Sequence, residues 1–343
     1  MKIEEHYPLK HLNTFGIDAT ARYFAEVRSA DDLLELVRRA EFRQAKKLIL
    51  GGGSNILFTQ PFDGLVIRIA IPGIELTAHG AGVAKVRAGA GVNWQDLVDW
   101  TLDRNLAGLE NLSLIPGTAG AAPVQNIGAY GAEFKDVFEE LQAFDLETGD
   151  MRTFLLKECG FGYRTSVFKN EFRGRHVILS VSLRLLDLST NGTAFRPVTV
   201  YGELGKRIEG IPSGELTPRS VSEAVIAIRR AKLPDPKRLG NAGSFFKNPV
   251  IPAAQAQALL SAYPGMPRFT EPNGVKIPAG WLIEQCGWKG KRVGNAGCHE
   301  HQALVLVNYG PATAKEILGL AYNIQRSVRE KFGIDLMPEV NIV

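Results

Sequence analysis

The sequence has few cysteines and no long apolar run, and both scarcities narrow the class of protein. Among its 343 residues only Cys159, Cys286 and Cys298 are cysteines, and no two of them form a C-x-x-C pair. An odd and scattered set indicates neither a disulfide framework nor a zinc site, and it fits a reducing compartment. The amino terminus lacks the apolar core of a signal peptide, and no later run could span a bilayer. We therefore expect a cytoplasmic protein with no membrane partner.

Three nucleotide- and metal-binding motifs are also missing. The segments that begin at Gly51 and Gly89 each lack the third glycine of G-x-G-x-x-G, so a Rossmann site is not supported. No G-x-x-x-x-G-K-[ST] occurs, which excludes P-loop chemistry. His299-Glu-His301 does not complete H-E-x-x-H, and histidines two apart before a strand are more often solvent-facing than metal ligands. We predict no metal.

The sequence also lacks a strong excess of positive or negative charge. The formal net charge is +4, and the basic residues are scattered among acids without a basic tract that contains aromatics. A nucleic-acid partner is therefore not expected. The mild positive balance suits small anionic ligands such as nucleotides or carboxylates, and it equally suits no ligand. A hydrophobic content of 45% allows a sizeable core, and the length predicts two or three domains.

Segments with apolar residues at helical spacing and segments that alternate as strands follow one another along the chain. This pattern predicts an α+β protein. Capping residues at Ser29 and Asn93 mark two helix starts, and the prolines of 232–237 must end a helix, which places the main domain boundary there. The predicted strands cover 23–27, 47–50, 65–70, 84–91, 177–185, 302–308 and 337–340, with a hairpin over 141–156 that turns at 147–150. The predicted helices begin near 29, 93, 220, 252, 278 and 312.

The ten residues from Gly240 to Pro249, G-N-A-G-S-F-F-K-N-P, have the composition of a reacting site. The glycines permit positive φ or close approach of a ligand, and they lead to the hydroxyl of Ser244. Adjacent side chains of an extended segment point to opposite faces, so we expect one of Phe245 and Phe246 in the core and the other shielding the hydroxyl. By itself the motif also fits a glycine-rich turn that leads into a buried strand.

Two small-residue stretches are candidates for a ligand site. Residues 51–55, G-G-G-S-N, follow a buried strand and fit either a phosphate-binding nest or a plain tight turn. Residues 115–131 are rich in glycine, alanine and proline and poor in charge, which favours a lining for a flat ligand such as a flavin over an irregular surface loop. In that stretch Gln125, Asn126 and Tyr130 could hydrogen-bond the polar edge of the ligand.

Two charged residues have open interpretations. Arg164 lies among aromatic residues and fits a surface cation, a structural donor or a carboxylate clamp. Glu339 belongs to the predicted terminal strand, where an exposed charge is the ordinary interpretation.

Seven motifs in order over nearly the whole chain resemble the UDP-N-acetylenolpyruvoylglucosamine reductase (MurB) family. They are N-T-F-G from Asn13, G-G-G-S-N from Gly51, P-G-T-A-G-A-A-P-V-Q-N-I-G-A-Y-G from Pro116, F-G-Y-R-T-S from Phe161, K-L-P-D-P from Lys232, G-N-A-G-S-F-F-K-N-P from Gly240 and P-E-V from Pro338. The resemblance implies an FAD-binding region of two α+β subdomains of the vanillyl-alcohol oxidase-like type, residues 1–72 and 73–231, and an α+β substrate-binding domain, residues 232–343. It implies FAD as the cofactor and a monomeric enzyme.

The reaction that this resemblance implies is the NADPH-dependent reduction of UDP-N-acetylglucosamine enolpyruvate to UDP-N-acetylmuramate for peptidoglycan. Hydride comes from N5 of FAD, Ser244 gives the proton, and Arg164 and Glu339 stabilise the enediolate. An alcohol is a weak acid, but a strongly basic enediolate needs only a well-placed donor.

The resemblance also assigns binding residues. Tyr201, on a loop that only some members carry, joins Lys232, Asn248 and Gln302 as the residues for the nucleotide diphosphate. The residues implied for FAD are Gly51, Gly52, Gly53, Ser54, Asn55, Pro116, Gly117, Gly120, Gln125, Asn126, Gly128, Ala129, Tyr130, Gly131 and Arg229.

Two alternative functions remain at this point. One is an oxidoreductase on the same flavin scaffold that acts on an alcohol or lactone and does not need the Ser244 donor. The other is a non-catalytic nucleotide-sugar binding protein that has lost the flavin and is colourless.

Overall fold

The chain divides into two compact units. The computed structural model describes residues 1–190, 192, 194–199, 202–212 and 215–343. The first unit comprises residues 1–7, 21–52 and 63–229, and the second comprises residues 8–20, 53–62 and 230–343. The sequence periodicities did not indicate that two short amino-terminal segments belong to the second unit.

The regular elements include strands and helices in both units. The strands are β1 (Ile3–Pro8), β2 (Thr20–Val27), β3 (Lys47–Leu50), β4 (Ile56–Leu57), β5 (Phe62–Ile69), β6 (Ile74–Gly80), β7 (Val83–Gly89), β8 (Leu106–Ala107), β9 (Gly128–Ala129), β10 (Ala132–Glu133), β11 (Phe138–Asp145), β12 (Met151–Leu155), β13 (His176–Asp187), β14 (Gly240–Ser244), β15 (Val250–Ile251), β16 (Phe269–Glu271), β17 (Gly274–Lys276), β18 (Arg292–Val293), β19 (Ala296–Cys298), β20 (Val305–Asn308) and β21 (Asn341–Ile342). The helices are α1 (Ala30–Arg38), α2 (Trp94–Leu102), α3 (Gly202–Ile208), α4 (Pro218–Lys232), α5 (Ala253–Ala262), α6 (Ala279–Gln285) and α7 (Ala314–Phe332).

The first unit contains two larger sheets. One has the strand order β1-β2-β5-β3, with β3 parallel to β5, and the other has the order β12-β11-β13-β7-β6, with β8 also paired to β13. The apolar sides of α1 and α2 belong to the same buried cluster as these strands, through residues such as Leu33, Leu36, Leu97 and Val98. The two helices begin where predicted, because the Ser29 side chain accepts the Asp32 N–H and Asn93 accepts two N–H groups of its first turn.

A smaller apolar cluster in the first unit joins α3 to α4. Leu204 and Ile208 of α3 pack with Val221 and Val225 of α4, and Tyr130 is packed against this cluster. The end of the predicted ligand-lining stretch is therefore connected to the helix that carries Arg229.

The second unit is built around a sheet of order β14-β20-β19-β18 and the long helix α7. Ile317, Leu320, Ile324 and Val328 are buried at helical spacing, which gives α7 one continuous apolar side. A three-stranded sheet, β15-β17-β16, and the parallel pair of β21 and β4 complete the unit. None of the helices in the described ranges has both the length and the apolar character to cross a membrane.

The predicted terminal strand at 337–340 is wrong in its position. Pro338 makes only an isolated antiparallel bridge with Phe246, and the regular strand comes later, at Asn341–Ile342. Glu339 therefore lies between the bridge and β21, in a short connection whose backbone is fixed on both sides.

Candidate active site

In the first unit, the glycine turn after β3 lies against a second glycine segment. A Cβ added to Gly51 would be 2.8 Å from the Thr118 Oγ1, and one added to Gly52 would be 3.1 Å from the Cα of Gly117. Contacts this short leave no room for a side chain at Gly51 or Gly52. The turn after β3 therefore packs directly against residues 117–118, a close approach that glycine at positions 51 and 52 allows.

The next residue of the turn, Gly53, belongs to the second unit and is required by backbone geometry. Its φ is +63°, and a Cβ there would be 1.9 Å from the Leu12 carbonyl oxygen. Its own carbonyl accepts the Thr14 N–H at 3.0 Å. Ser54 is half-buried, and the Asn55 side chain donates to the Glu339 carbonyl at 3.4 Å. The end of the turn is therefore tied to the segment that carries Glu339.

The stretch that was predicted to line a flat ligand is a series of short turns followed by a tight hairpin. It runs through two 3-10 turns, Ala119–Ala121 and Pro123–Gln125, before β9 and β10. Tyr130 and Gly131 connect those strands with φ of +50° and +88°, as a two-residue hairpin turn requires. Pro116 is exposed at the start of the stretch, Ala129 is half-buried in the hairpin, and Gly120 fits closely against Ala90.

Asn126 and Gln125, both predicted to contact a ligand, have partners within the first unit. Asn126 has no exposed surface; it donates to Glu133 Oε2 and the Gly162 carbonyl and accepts the Lys135 N–H at 3.0 Å. Its contribution is therefore to hold the hairpin in place, since a fully buried amide is not presented to a ligand. The half-buried Gln125 accepts from Lys169 Nζ at 3.4 Å.

Two arginines face the hairpin of β9 and β10. Arg164 has φ of +54° and donates from Nη2 to the Gly128 carbonyl at 2.8 Å; a Cβ on Gly128 would be 3.2 Å from its Nη1. Arg229 donates from Nε to the Leu114 carbonyl at 3.3 Å and hydrogen-bonds Tyr130. Burial lowers the pKa of Arg229, and the nearby Arg164 charge lowers it further. Two guanidinium groups that repel each other beside one hairpin suit an anionic ligand.

Asn111, which the sequence motifs did not indicate, connects this hairpin to the loop region that follows β13. Its Nδ2 donates to the carbonyls of Tyr130 at 2.8 Å and Val198 at 2.9 Å. Among the residues that the structure describes, no hydrogen-bond partner reaches its buried Oδ1. A polar Glu-Asn pair within an apolar stretch, at 110–111, was the available signal. Tyr201, predicted to bind substrate, follows Val198 closely and lies outside the described residues.

The neighbouring Glu110 is a buried carboxylic acid, and its substitution should change the pH dependence of stability. Burial raises the pKa of its carboxyl, although the Gly108 N–H donates to Oε2 at 2.6 Å. With a folded-state pKa above the unfolded-state value, its stabilising contribution is complete at low pH and is lost as the pH rises through the folded-state pKa. We expect Glu110→Gln to raise the free energy of unfolding at about pH 8 and to change it little at about pH 4.5.

Urea unfolding of the FAD-loaded protein over this pH range measures the effect. Glu171→Gln, at an exposed position of the same unit, is the matched control and should leave the pH profile unchanged. An equal gain for Glu110→Gln at both pH values would contradict the assignment of a desolvated acid.

In the second unit, Ser244 is placed by a β-bulge. Asn241 pairs with Val307 and Ser244 with Val305, so β14 contains one extra residue relative to β20. Gly243, with φ of +68°, lies in this bulge, and its N–H donates to the Asn241 side chain at 3.0 Å. The bulge re-aims the strand just before the hydroxyl, and Ser244 remains half-buried.

The two phenylalanines after Ser244 do not divide between core and site. Phe245 is 0% exposed and Phe246 is 1% exposed, so the prediction that one of them shields the hydroxyl is wrong. The prediction assumed that successive side chains of a regular strand point to opposite faces. The bulge in β14 and the isolated bridge to Pro338 interrupt that regularity. The backbone of Phe245 connects three segments instead: its N–H donates to the Leu304 carbonyl, and its carbonyl accepts the Glu339 N–H, both at 2.8 Å.

Two of the predicted substrate residues converge at the start of α6. Asn248 Oδ1 accepts the Ala279 N–H at 2.9 Å. Gln302 Oε1 lies against Gly280, the next residue of the helix. The second unit therefore brings Ser244, Asn248, Gln302 and Glu339 into neighbouring segments. Lys232 is exposed at the end of α4.

Neither cysteines nor acidic clusters offer a second chemistry in the described ranges. The three cysteines are free, and burial raises the pKa of Cys159 and of Cys298 to about 12, so neither is a reactive thiolate. Within those ranges, no group of three or more His, Cys, Asp or Glu could hold a metal ion.

Comparisons with known proteins identify the family of the chain. Residues 235–343 match the family described as the C-terminal domain of UDP-N-acetylenolpyruvoylglucosamine reductase, and residues 21–154 match an FAD binding domain. UDP-N-acetylenolpyruvoylglucosamine reductase from Amoebophilus asiaticus is 48% identical over 100% of both chains. The Burkholderia multivorans enzyme of the same name is 51% identical over 97% of this chain and 95% of its own.

A solved structure gives the same result for the fold. The crystal structure of UDP-N-acetylenolpyruvylglucosamine reductase (MurB) from Thermus caldophilus superposes with a TM-score of 0.66 at 26% identity, over 100% of this chain and 99% of the other. The predicted fold class, an α+β FAD-binding region followed by a separate C-terminal domain, and the predicted cofactor FAD are thereby confirmed. The chain belongs to the UDP-N-acetylenolpyruvoylglucosamine reductase family, the FAD-dependent UDP-N-acetylmuramate dehydrogenases of peptidoglycan precursor synthesis.

Proposed function

We propose that this chain reduces the enolpyruvyl ether of UDP-N-acetylglucosamine enolpyruvate to UDP-N-acetylmuramate, with NADPH as the electron donor. The observation that carries the proposal is the backbone of Phe245. It joins a hydroxyl, Ser244, to the segments of a carboxyl, Glu339, and an amide, Gln302, within one unit. These groups supply a proton donor, an acid for an enediolate and a donor to phosphate oxygens.

The residues proposed to hold FAD are the turn 51–55, the stretch 116–131 apart from the buried side chain of Asn126, and Arg229. The turn suits a pyrophosphate because the N–H groups of a glycine-rich turn can bind phosphate oxygens, and its glycines let it pack directly against residues 117–118. The Arg229 guanidinium adds positive charge beside Tyr130. When bound, FAD supplies the hydride.

Each proposed catalytic residue answers one need of the reaction. The substrate carboxylate is already negative, which makes the alkene a poor hydride acceptor, and further negative charge accumulates on it as an enolate during reduction. Arg164 would clamp this carboxylate through a bidentate guanidinium, and Glu339 would donate a hydrogen bond that favours the enediolate. Ser244 would then protonate the adjacent carbon, as a general acid placed by the bulge of β14.

The nucleotide diphosphate requires donors rather than acceptors. We assign it to Lys232, Asn248, Gln302 and Tyr201, which supply a cation, two amides and a phenol. Asn248 already uses its Oδ1 as the acceptor for Ala279, so its Nδ2 is the end available for a phosphate oxygen.

Anaerobic stopped-flow absorbance of the FAD-loaded protein tests the proposal. NADPH should reduce the flavin, and subsequent mixing with UDP-N-acetylglucosamine enolpyruvate should restore the oxidised spectrum rapidly. If the flavin is reduced but stays reduced, the scaffold is right and the substrate is wrong, as for an oxidoreductase that acts on an alcohol or lactone. If no flavin binds on reconstitution, the protein is a nucleotide-sugar binding protein instead.

A further inference from the structure

Gly280 has a close contact that its place in a helix does not require. It is the second residue of α6, Ala279–Gln285. A Cβ added there would be 3.2 Å from Gln302 Oε1, and 3.6 and 3.7 Å from the Leu304 Cγ and Cδ1. A methyl group at this position would therefore press on the carboxamide of Gln302.

The turn that carries Gln302 has little freedom to move away. Its Oε1 accepts the Leu304 N–H at 3.4 Å, and its carbonyl accepts the Val305 N–H at 3.0 Å. The Leu304 carbonyl in turn accepts the Phe245 N–H at 2.8 Å. A displaced carboxamide has to turn away from the Leu304 N–H, because the backbone of Leu304 is itself held by Phe245.

The orientation of the carboxamide decides which atom a ligand meets. With Oε1 directed to the Leu304 N–H, Nε2 is the opposite end and acts as a donor. Asn248 is oriented in the same sense by the Ala279 N–H. The oxygen of Asn248 is thus held by Ala279, and the oxygen of Gln302 is held by Leu304 and lies against the neighbouring Gly280. An anion accepts hydrogen bonds only, so it requires this orientation of both side chains.

We propose that Gly280 is a positioning residue for the nucleoside diphosphate, and that it acts by leaving room for the carboxamide oxygen of Gln302. The role rests on the proposed function, because it assumes that Gln302 donates to a diphosphate. It makes Gly280 a determinant of substrate binding without a contact of its own with the ligand.

Gly280→Ala is expected to affect UDP binding without lowering the stability of the fold. Alanine is a better helix former than glycine, so Gly280→Ala should leave the midpoint of unfolding of the protein unchanged or raised. The same variant should weaken UDP binding to the FAD-loaded enzyme by about tenfold, comparable to the loss of one well-placed hydrogen bond to a charged group. Isothermal titration with UDP and thermal unfolding measure the two effects. The KM for the full substrate should rise while the rate of FAD reduction by NADPH stays the same.

Gly319→Ala is the matched control. Gly319 lies within α7, and a Cβ there would meet nothing within 4 Å. This variant should share any gain in unfolding midpoint and bind UDP as the unmodified chain does.

A double-mutant cycle with Gln302→Ala tests the route of the effect. Once the carboxamide is removed, adding Gly280→Ala should weaken UDP binding no further. Full additivity, or unchanged UDP affinity in Gly280→Ala, would overturn the positioning role and leave the proposed function standing. A parent enzyme that reduces FAD with NADPH but binds no UDP would overturn the diphosphate assignment and this role together.

Discussion

Ser244→Ala is expected to leave the reduction of FAD by NADPH unchanged and to slow reoxidation by the enolpyruvyl substrate by about 1,000-fold, a typical loss for a positioned general acid. The hydroxyl is needed only after hydride has reached the substrate, so its removal affects one half-reaction. Single-turnover stopped-flow measurements of the two half-reactions separate them.

The structural reason for this expectation is the placement of the hydroxyl. The bulge at Gly243 ends on Ser244, and the next residue is fully buried and bonded to two other segments. A donor on so constrained a backbone is oriented before substrate binds, which compensates for the weak acidity of an alcohol.

Two further variants serve as a rescue and a control for Ser244→Ala. Ser244→Cys keeps a proton donor at the same position and should recover part of the lost rate. Ser261→Ala removes an exposed hydroxyl from α5 of the same unit and should have no effect on either half-reaction. Equal loss of both half-reactions in Ser244→Ala would contradict the role of proton donor and indicate damage to the site as a whole.

Local signals in the sequence predicted most of the helices, but they left many strands unpredicted, β1 and β6 among them. The caps at Ser29 and Asn93 correctly predicted where two helices begin. A cap can be recognised in the sequence because it involves residues that are at most three positions apart. The hairpin predicted over 141–156 is found as β11 and β12, and the long carboxyl-terminal helix as α7. Each of these predictions rests on contacts within one element or between neighbours in sequence.

Long-range pairing could not be predicted in the same way. Phe15 is buried in the core of the second unit, where Asn308 donates to its carbonyl at 2.9 Å and a Cβ on Gly240 would be 2.4 Å from that oxygen. These contacts explain why an amino-terminal segment belongs with residues 230–343. Nothing in the periodicity of residues 8–20 indicates a partner so distant in sequence.

In the candidate site, too, the residue types could be predicted from the sequence, whereas the contacts between distant segments could not. Residue types and motif order were enough to propose Arg164, Ser244 and Glu339, since the chemistry needs a cation, a donor and an acid. The sequence could not show that Phe245 connects Ser244 to the segment of Glu339, or that Gly280 lies against Gln302, because both depend on the bulge and on backbone distances in the second unit.

Arg164→Lys is expected to lower kcat/KM for the enolpyruvyl substrate by about 100- to 1,000-fold, the range found when a preorganised donor to a developing charge is removed. The lysine keeps the positive charge but replaces a planar fork with a single point charge, so it cannot clamp a carboxylate with two parallel hydrogen bonds. Steady-state kinetics with varied substrate at saturating NADPH measure the loss. The reduction of FAD by NADPH is followed in the same preparations.

The proposed role of Arg164 depends on its geometry as much as on its charge. Its backbone is in the left-handed region, and Nη2 is held by the Gly128 carbonyl, so one edge of the guanidinium is fixed by the hairpin. A lysine reaches neither this carbonyl nor a bidentate partner in the same way. Arg173→Lys, an exposed arginine of the same unit, should keep full activity. Near-normal turnover in Arg164→Lys would show that charge alone suffices and that the clamp is not needed. Recovery of Arg164→Ala by added guanidinium would show the opposite, because the planar donor would act without its tether.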